Sequence, residues 1–334
     1  MNTWRPLNPD QRADWDRLIA QSAQAPVFQT WGWGELKQEE GWAPVRFAAR
    51  DKGGIPVAFA QVLVRRMPGG TKFVWVPGGP LRNSNAPFWS ELLTTFHVDL
   101  ERVLGRCYVR CSFMTPRDGD SAYALARNMR SPIVKLNSGY SVLLDLRDDE
   151  AVWLSLIDAK HRYYVRKAKA AGLTWLYGDN DVVLGDLSDL SSRMGRDKGL
   201  LSQGVSRTGL SRMRALLPGI PRVLVGYLDG EAVTACLVLR RGPVAFYATA
   251  ATVGRGREVS AAYAMLAELR SRLRDEEVEM LDFGGVDPVS EVARGVDHFK
   301  RGFGGRVVEY LGEWESGGRI ARILGNLSIA IKQR

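Results

Sequence analysis

The order in which strand-like and helix-like stretches follow one another constrains this chain more than any single motif, because much the same order is written twice. In the first half, apolar stretches at 45–50 and 55–66 flank a Lys52-Gly-Gly turn, and a third at 72–76 ends on Pro77-Gly-Gly-Pro. Glycine and proline interrupt regular structure, so these stretches read as strands joined by tight turns. A helix is predicted over 87–104 and a strand over 108–113. The second half predicts helices over 150–171, 182–195 and 208–217, with a strand at 173–176. Strands at 222–227, 232–239 and 244–248, a helix at 261–274 and a strand at 280–285 complete it. Strand, helix and strand bordered by hairpins predict a mixed α/β layer structure. At 334 residues the chain calls for two cores rather than one. An opening helix over 8–20 and a tail over 319–332, with apolar residues at helical spacing between basic ones, are predicted to pack on the core. For the tail, membrane contact is the lesser alternative.

Hydrophobic residues make up 45% and charged residues 25%, an ordinary globular balance. Apolar runs such as 142–144 fall far short of the roughly 20 residues that cross a bilayer. Met1-Asn-Thr-Trp-Arg-Pro lacks a signal-peptide core, so the chain is expected in the cytoplasm. Cys107, Cys111 and Cys236 are too few for a disulfide framework. Cys107 and Cys111 read as buried strand residues, and no metal site is expected. The net charge of +9 favours polyanions such as tRNA, nucleotide-linked substrates and anionic lipid. Excess cations can equally serve solubility until they are located.

Two clusters locate them. The helix over 160–173 holds five Lys or Arg and no acid, and Arg162, Arg166 and Lys169 share one face at i, i+4 and i+7. Like charges at that spacing repel, so the stripe reads as a polyanion contact, with a plain solvated face as the alternative. A second basic stretch, 193–214, places Arg207 at a helix start, where backbone N–H groups favour phosphate. Structural ion pairing is the alternative reading for Arg207. The loop Thr252-Val-Gly-Arg-Gly-Arg-Glu-Val-Ser between strand and helix has the place of a pyrophosphate loop but only two glycines. Lys300 stands among aromatics in a glycine-rich stretch, where a lysine can reach a reacting carbonyl and stabilise oxyanion charge. A surface lysine is the plain alternative. No Ser, His and Asp arrangement points to covalent catalysis.

Three stretches carry a resemblance. They are Val27-Phe-Gln-Thr-Trp-Gly-Trp-Gly-Glu-Leu-Lys-Gln, the basic helix of 160–172, and Asp282-Phe-Gly-Gly with Phe299-Lys-Arg-Gly-Phe-Gly-Gly-Arg-Val-Val-Glu-Tyr-Leu-Gly-Glu. With Val76-Pro-Gly-Gly-Pro-Leu between the first two, they resemble the Fem (FemABX) family, which builds peptidoglycan interpeptide bridges from aminoacyl-tRNA. The resemblance implies an α/β fold of two tandem GNAT (N-acyltransferase)-like domains, with mixed central sheets flanked by helices. The first would span 1–145 with the C-terminal helix 316–334, the second 146–315, without the coiled-coil arm of longer members. It implies a cytoplasmic, monomeric aminoacyltransferase with aminoacyl-tRNA as co-substrate and no other cofactor. The acceptor would be a peptidoglycan precursor, UDP-MurNAc-pentapeptide or lipid II, with peripheral membrane contact left open.

By the same resemblance Lys37 and Arg207 would hold precursor phosphate across a cleft, with Tyr247 lining the site. Phe299 and Lys300 would meet the aminoacyl end of the tRNA, and Lys300 would aid the transition state. The chain departs from the family at Ser211, where an aromatic is frequent, and at Cys111-Ser-Phe-Met, where an acid is expected. An acyl-CoA-dependent N-acyltransferase and a noncatalytic RNA-binding module are the alternative functions.

Overall fold

The computed structural model of the chain describes residues 3–8, 10–22, 25–83, 89–199, 205–287 and 294–332. Its backbone divides into two units, one of residues 1–140 and 308–334, the other of residues 141–307. Unit 1 begins with β1 (Thr3–Pro6), α1 (Arg12–Ala20), α2 (Trp31–Glu39), β2 (Ala43–Arg50) and β3 (Pro56–Arg66). It continues with β4 (Lys72–Pro77), β5 (Leu81–Arg82), α3 (Trp89–Leu104), β6 (Cys107–Pro116) and α4 (Gly119–Asn128). Strands β2, β3 and β4 pair antiparallel, while β4 and β6 run parallel because the connection between them is α3. Leu92, Phe96 and Leu100 of α3 bury against Val74, Val109 and Cys111 in one core. β3 is buried along most of its length, which explains its unbroken apolar run. Where β3 passes from β5 to β4, Gln29 takes a strand's place: its Oε1 accepts from Gln61 N at 2.7 Å and its Nε2 donates to Pro77 O at 2.7 Å.

Unit 2 comprises β7 (Tyr140–Asp145), α5 (Glu150–Leu156), α6 (Ala159–Lys169), β8 (Thr174–Gly178), α7 (Asp181–Lys198) and α8 (Arg207–Leu216). Then follow β9 (Pro221–Leu228), β10 (Glu231–Arg241), β11 (Val244–Thr252), α9 (Gly254–Glu258), α10 (Ala261–Asp275), β12 (Met280–Val286) and α11 (Arg294–Arg301). The helix expected over 150–171 is two helices. Ile157 is extended and Asp158 caps α6 by accepting from Lys160 N at 2.9 Å, so the chain turns where one helix would have continued. The sheet order is β7-β12-β11-β10-β9-β8, with β11 and β12 parallel across α10. A bulge in β11 interrupts its register with β10 at Leu237 and Val238, beside Tyr247.

The chain then returns to unit 1 as β13 (Arg306–Ser316) and α12 (Arg319–Lys332). β13 pairs antiparallel with β6, so the strand up to residue 315 belongs with the first unit rather than the second, as the boundaries read from sequence had it. Arg110 of β6 is fully buried and donates to Glu313 Oε2 of β13 at 2.7 Å, an ion pair that fastens the returning strand. The helix α12 does rest on β6, but with most of its large aliphatic side chains turned away. Ala321, Asn326 and Ile329 are buried, while Ile320, Ile323, Leu324, Leu327 and Ile331 are exposed.

Candidate functional site

The end of β12 and the helix α11 hold the residues that the sequence reading placed at the reacting ester. β12 carries a carboxylate into the interior: Asp282 Oδ1 accepts from Gly284 N at 2.8 Å and from the Ser141 hydroxyl of β7. Gly284 has φ +73°, a backbone conformation that favours glycine. α11 is tied to this strand end twice. Asp297 Oδ2 accepts from Asp287 N at 2.8 Å, and Lys300 Nζ donates to Gly285 O at 2.6 Å. Burial lowers the pKa of Lys300, with the charges of Asp297 and Asp282 opposing the shift. The result is one cation held at a strand end beside two carboxylates, able to meet an oxyanion without first being gathered from water.

Phe299 turns the other way, into an aromatic group. Its ring lies 5.1 Å from both Tyr263 and Phe303, and its carbonyl accepts from His161 Nε2 at 3.1 Å. A carbonyl only accepts, so Nε2 carries the proton and Nδ1 is left with a lone pair that finds no partner among the described residues. His161 is fully buried, and burial lowers its pKa. The ring fills the space above Gly302: a Cβ there would stand 2.0 Å from His161 Cε1. Glycine is required at 302 by this close approach. His161 was passed over in the sequence because the helix was weighed for its cations alone. Asp282 stood in a quoted motif but had no role until its burial showed one.

The basic helix is less free than its sequence suggests. Arg162 Nη1 donates to the carbonyls of Leu154 at 3.2 Å and Ile157 at 2.6 Å, closing the C-terminus of α5. Lys169 pairs with Glu150 at 2.7 Å, whereas Arg166 is exposed. Arg207 is the first residue of α8, behind a Ser206 cap, and reaches α7 through a bond to Asp181 O at 3.5 Å and contact with Gly185. Tyr247 lies 5.8 Å from Phe283, its hydroxyl pKa pushed up by burial. The fold thus brings Lys300, Phe299 and the Tyr247 strand to the surroundings of β12, while the contacts of Arg207 are to α7. The stretch before α10, read from sequence as a loop, holds the short helix α9, in which Gly256 packs against the Val233 carbonyl, 2.5 Å from where a Cβ would sit. Arg255 and Arg257 pair with Asp229 and Asp197. That glycine serves packing.

In unit 1, Lys37 lies on α2, capped by Thr30, with Nζ 4.9 Å from the Trp33 ring centre and 2.8 Å from Glu40 Oε1. A phosphate would have to draw it from Glu40. Gly34 on the same helix lets it sit on β2 and β3, since a Cβ would meet Gln61 at 2.4 Å and Arg46 at 2.6 Å. Arg46 stacks over Trp31 at 3.5 Å, and burial brings its pKa down to about 10. Although Cys111-Ser-Phe-Met has no acid, Glu313 of β13 stands opposite Ser112, with Oε1 3.5 Å from Ser112 Oγ. It lines a cavity of about 220 Å³ with Arg117, Asn137 and Tyr310, and none of the residues given a catalytic or binding role from sequence lines it.

All three cysteines are buried, and burial raises Cys107 and Cys236 to about 12. Two clusters, Asp158 with His161 and His298, and His97 with Glu101 and Cys107, bring potential metal-ligand atoms within 4.8 Å of one another. In the first, Asp158 caps α6; in the second, the thiol resists the deprotonation that ligation requires.

The segment running from the end of β9 through β13 matches a known family. Residues 228–317 match the FemAB family. That segment contains Asp282, Phe299 and Lys300. No curated protein matches significantly. Among solved structures, one described as FemX superposes with a TM-score of 0.80 at 15% identity, over 97% of this chain and 99% of that one. The C-terminal domain of a putative lysylphosphatidylglycerol synthetase from Agrobacterium fabrum gives 0.59 at 13% identity, over 96% and 97%. A tandem GNAT protein from the clavulanic acid biosynthesis pathway gives 0.53 at 17% identity, over 95% and 98%. Two tandem GNAT-like units, each a mixed sheet flanked by helices, are therefore the fold, as the family resemblance implied. Among the described residues no helix is long and apolar enough to cross a membrane.

Proposed function

We propose that the chain is an aminoacyltransferase that moves an amino acid from aminoacyl-tRNA to the stem peptide of a peptidoglycan precursor. The observation that carries this reading is Lys300, bonded to Gly285 O at 2.6 Å beside Asp282 and Asp297, inside the FemAB segment. An aminoacyl ester is already activated. Transfer then requires an aligned amine and stabilisation of the tetrahedral oxyanion, which positioning and a cation supply. The acceptor amine attacks the ester carbonyl, the ammonium of Lys300 stabilises the oxygen that becomes negative, and the tRNA hydroxyl departs as the amide forms.

In this reading Phe299 walls the aminoacyl end, and Tyr247 lines the acceptor's surroundings. Lys37 and Arg207 are proposed as phosphate contacts, and Arg166 as the tRNA contact of α6. The packing use of Gly256 and the ion pairs of Arg255 and Arg257 weigh against a pyrophosphate loop for acyl-CoA. Incubating UDP-MurNAc-pentapeptide or lipid II with the protein and charged total tRNA, followed by mass spectrometry, tests the proposal. A mass gain equal to one aminoacyl residue is expected with charged tRNA and none with acetyl-CoA. Acetylation without aminoacylation would overturn it.

A further inference from the structure

The C-terminal helix of unit 1 is held by a side made of Ala321, Gly325, Asn326 and Ile329 and turns five other large aliphatic side chains to solvent. Toward the sheet, a Cβ on Gly325 would lie 2.4 Å from the Tyr108 ring, so helix and ring are in close contact. Asn326 Nδ2 donates to Glu315 Oε2 at 2.7 Å, and its Oδ1 accepts from Val134 N at 2.9 Å. These contacts fix the rotation of α12. On the opposite side Ile320 is 75% exposed, Ile331 65%, Leu327 54% and Ile323 52%, with Leu324 between them. At 3.6 residues per turn the five fall within an arc of about 100°.

Single exposed aliphatics are ordinary, but a contiguous stripe of five marks a surface that another body covers. The charge around the stripe says which kind. Residues 317–334 contain Arg319, Arg322, Lys332 and Arg334 and no acidic residue, in a chain of net charge +9. RNA would use the cations and gain little from the aliphatics. A second copy would use the aliphatics but bring the same charge. Only an anionic, apolar-cored body uses both. At 14 residues α12 is too short to cross a bilayer, which takes about 20, but suits lying within its surface.

We propose that this face of α12 docks onto a membrane surface carrying anionic phospholipid, with the five aliphatic side chains at the acyl boundary and the exposed Arg319 at the headgroups, while Arg322 stays paired with Glu315. The docking is independent of the reaction proposed above, and vesicles free of precursor and tRNA test it alone. Full-length protein should cosediment with vesicles of phosphatidylglycerol and phosphatidylcholine, and far less with phosphatidylcholine alone. Leu324→Ser with Leu327→Ser should lower the partition coefficient about tenfold or more. Arg319→Gln should lower it about fivefold. All three positions are exposed, and unchanged circular dichroism confirms that the variants fold. Equal capture by both vesicle types, or capture untouched by the double substitution, would overturn the proposal. So would failure to sediment together with a dimer, seen by light scattering, that the double variant dissociates; that result would assign the face to a second copy.

Discussion

Lys300 is a lysine partly withdrawn from water, and its pH behaviour separates a catalytic role from a structural one. If its ammonium meets charge that exists only in the transition state, Lys300→Met lowers kcat by about 10²–10³ and leaves both KM values near wild type. Steady-state kinetics on protein shown to be folded decide this, and normal turnover would remove Lys300 from the mechanism. Because burial lowers its pKa from 10.5, the charged form is lost as pH rises through a value below 10.5, so activity should show an alkaline limb there. Lys300→Arg, which stays charged, should move that limb upward. His161 gives a stability signature of the opposite kind. Its pKa is lowered by burial from 6.5, so as pH falls through 6.5 the unfolded chain takes up a proton that the folded one refuses. Stability should decline from there down to the folded pKa. Urea unfolding at about pH 7.5 and about pH 5.5 should show this loss in the wild type and a smaller one in His161→Phe. Equal losses would place the acid sensitivity elsewhere.

Among the elements, the junction of α5 and α6 divides the basic helix into structural and available cations. Arg162→Ala removes the donor that satisfies the last carbonyls of α5, and thermal unfolding should show a loss of about 1–2 kcal/mol. Its tRNA affinity should keep the wild-type salt slope. Arg166→Ala should do the reverse, leaving stability in place and flattening the slope of log K against log salt by roughly one contact. A slope unchanged in Arg166→Ala would return the face to solvent. Sequence made the one-sign stripe plain, but not which of its members already had partners, since the carbonyls bound by Arg162 become available only when α5 ends at Leu156. The same limit applies to α12: periodicity marks an apolar stripe without saying which side meets the sheet.

Unit 1 as a whole is closed by a strand that arrives from the far end of the chain. Arg110 is buried between two carboxylates of that strand, Glu313 at 2.7 Å and Glu315 at 3.6 Å, so removing Glu313 leaves it with the more distant one. Glu313→Gln should destabilise unit 1 by about 1.5–3 kcal/mol, the loss of the closer charged partner, measured by calorimetry as a lowered unfolding transition. An unchanged transition would mean that Glu315 alone suffices to hold Arg110. That β13 serves the first unit could not be read from its residues, because an apolar strand is equally acceptable to either sheet and its partner is a matter of register. By itself the sequence determined the α/β alternation, most helix and strand positions and the resemblance carried by the stretch around Lys300, since these rest on local periodicity and on short motifs. Only the tertiary structure decided that Gly302 makes room for His161, that Asp282 and Asp297 flank Lys300, that Glu313 stands opposite Ser112, and that α12 faces outward with its aliphatics. Each of those depends on contacts between residues distant in sequence, which local pattern does not encode.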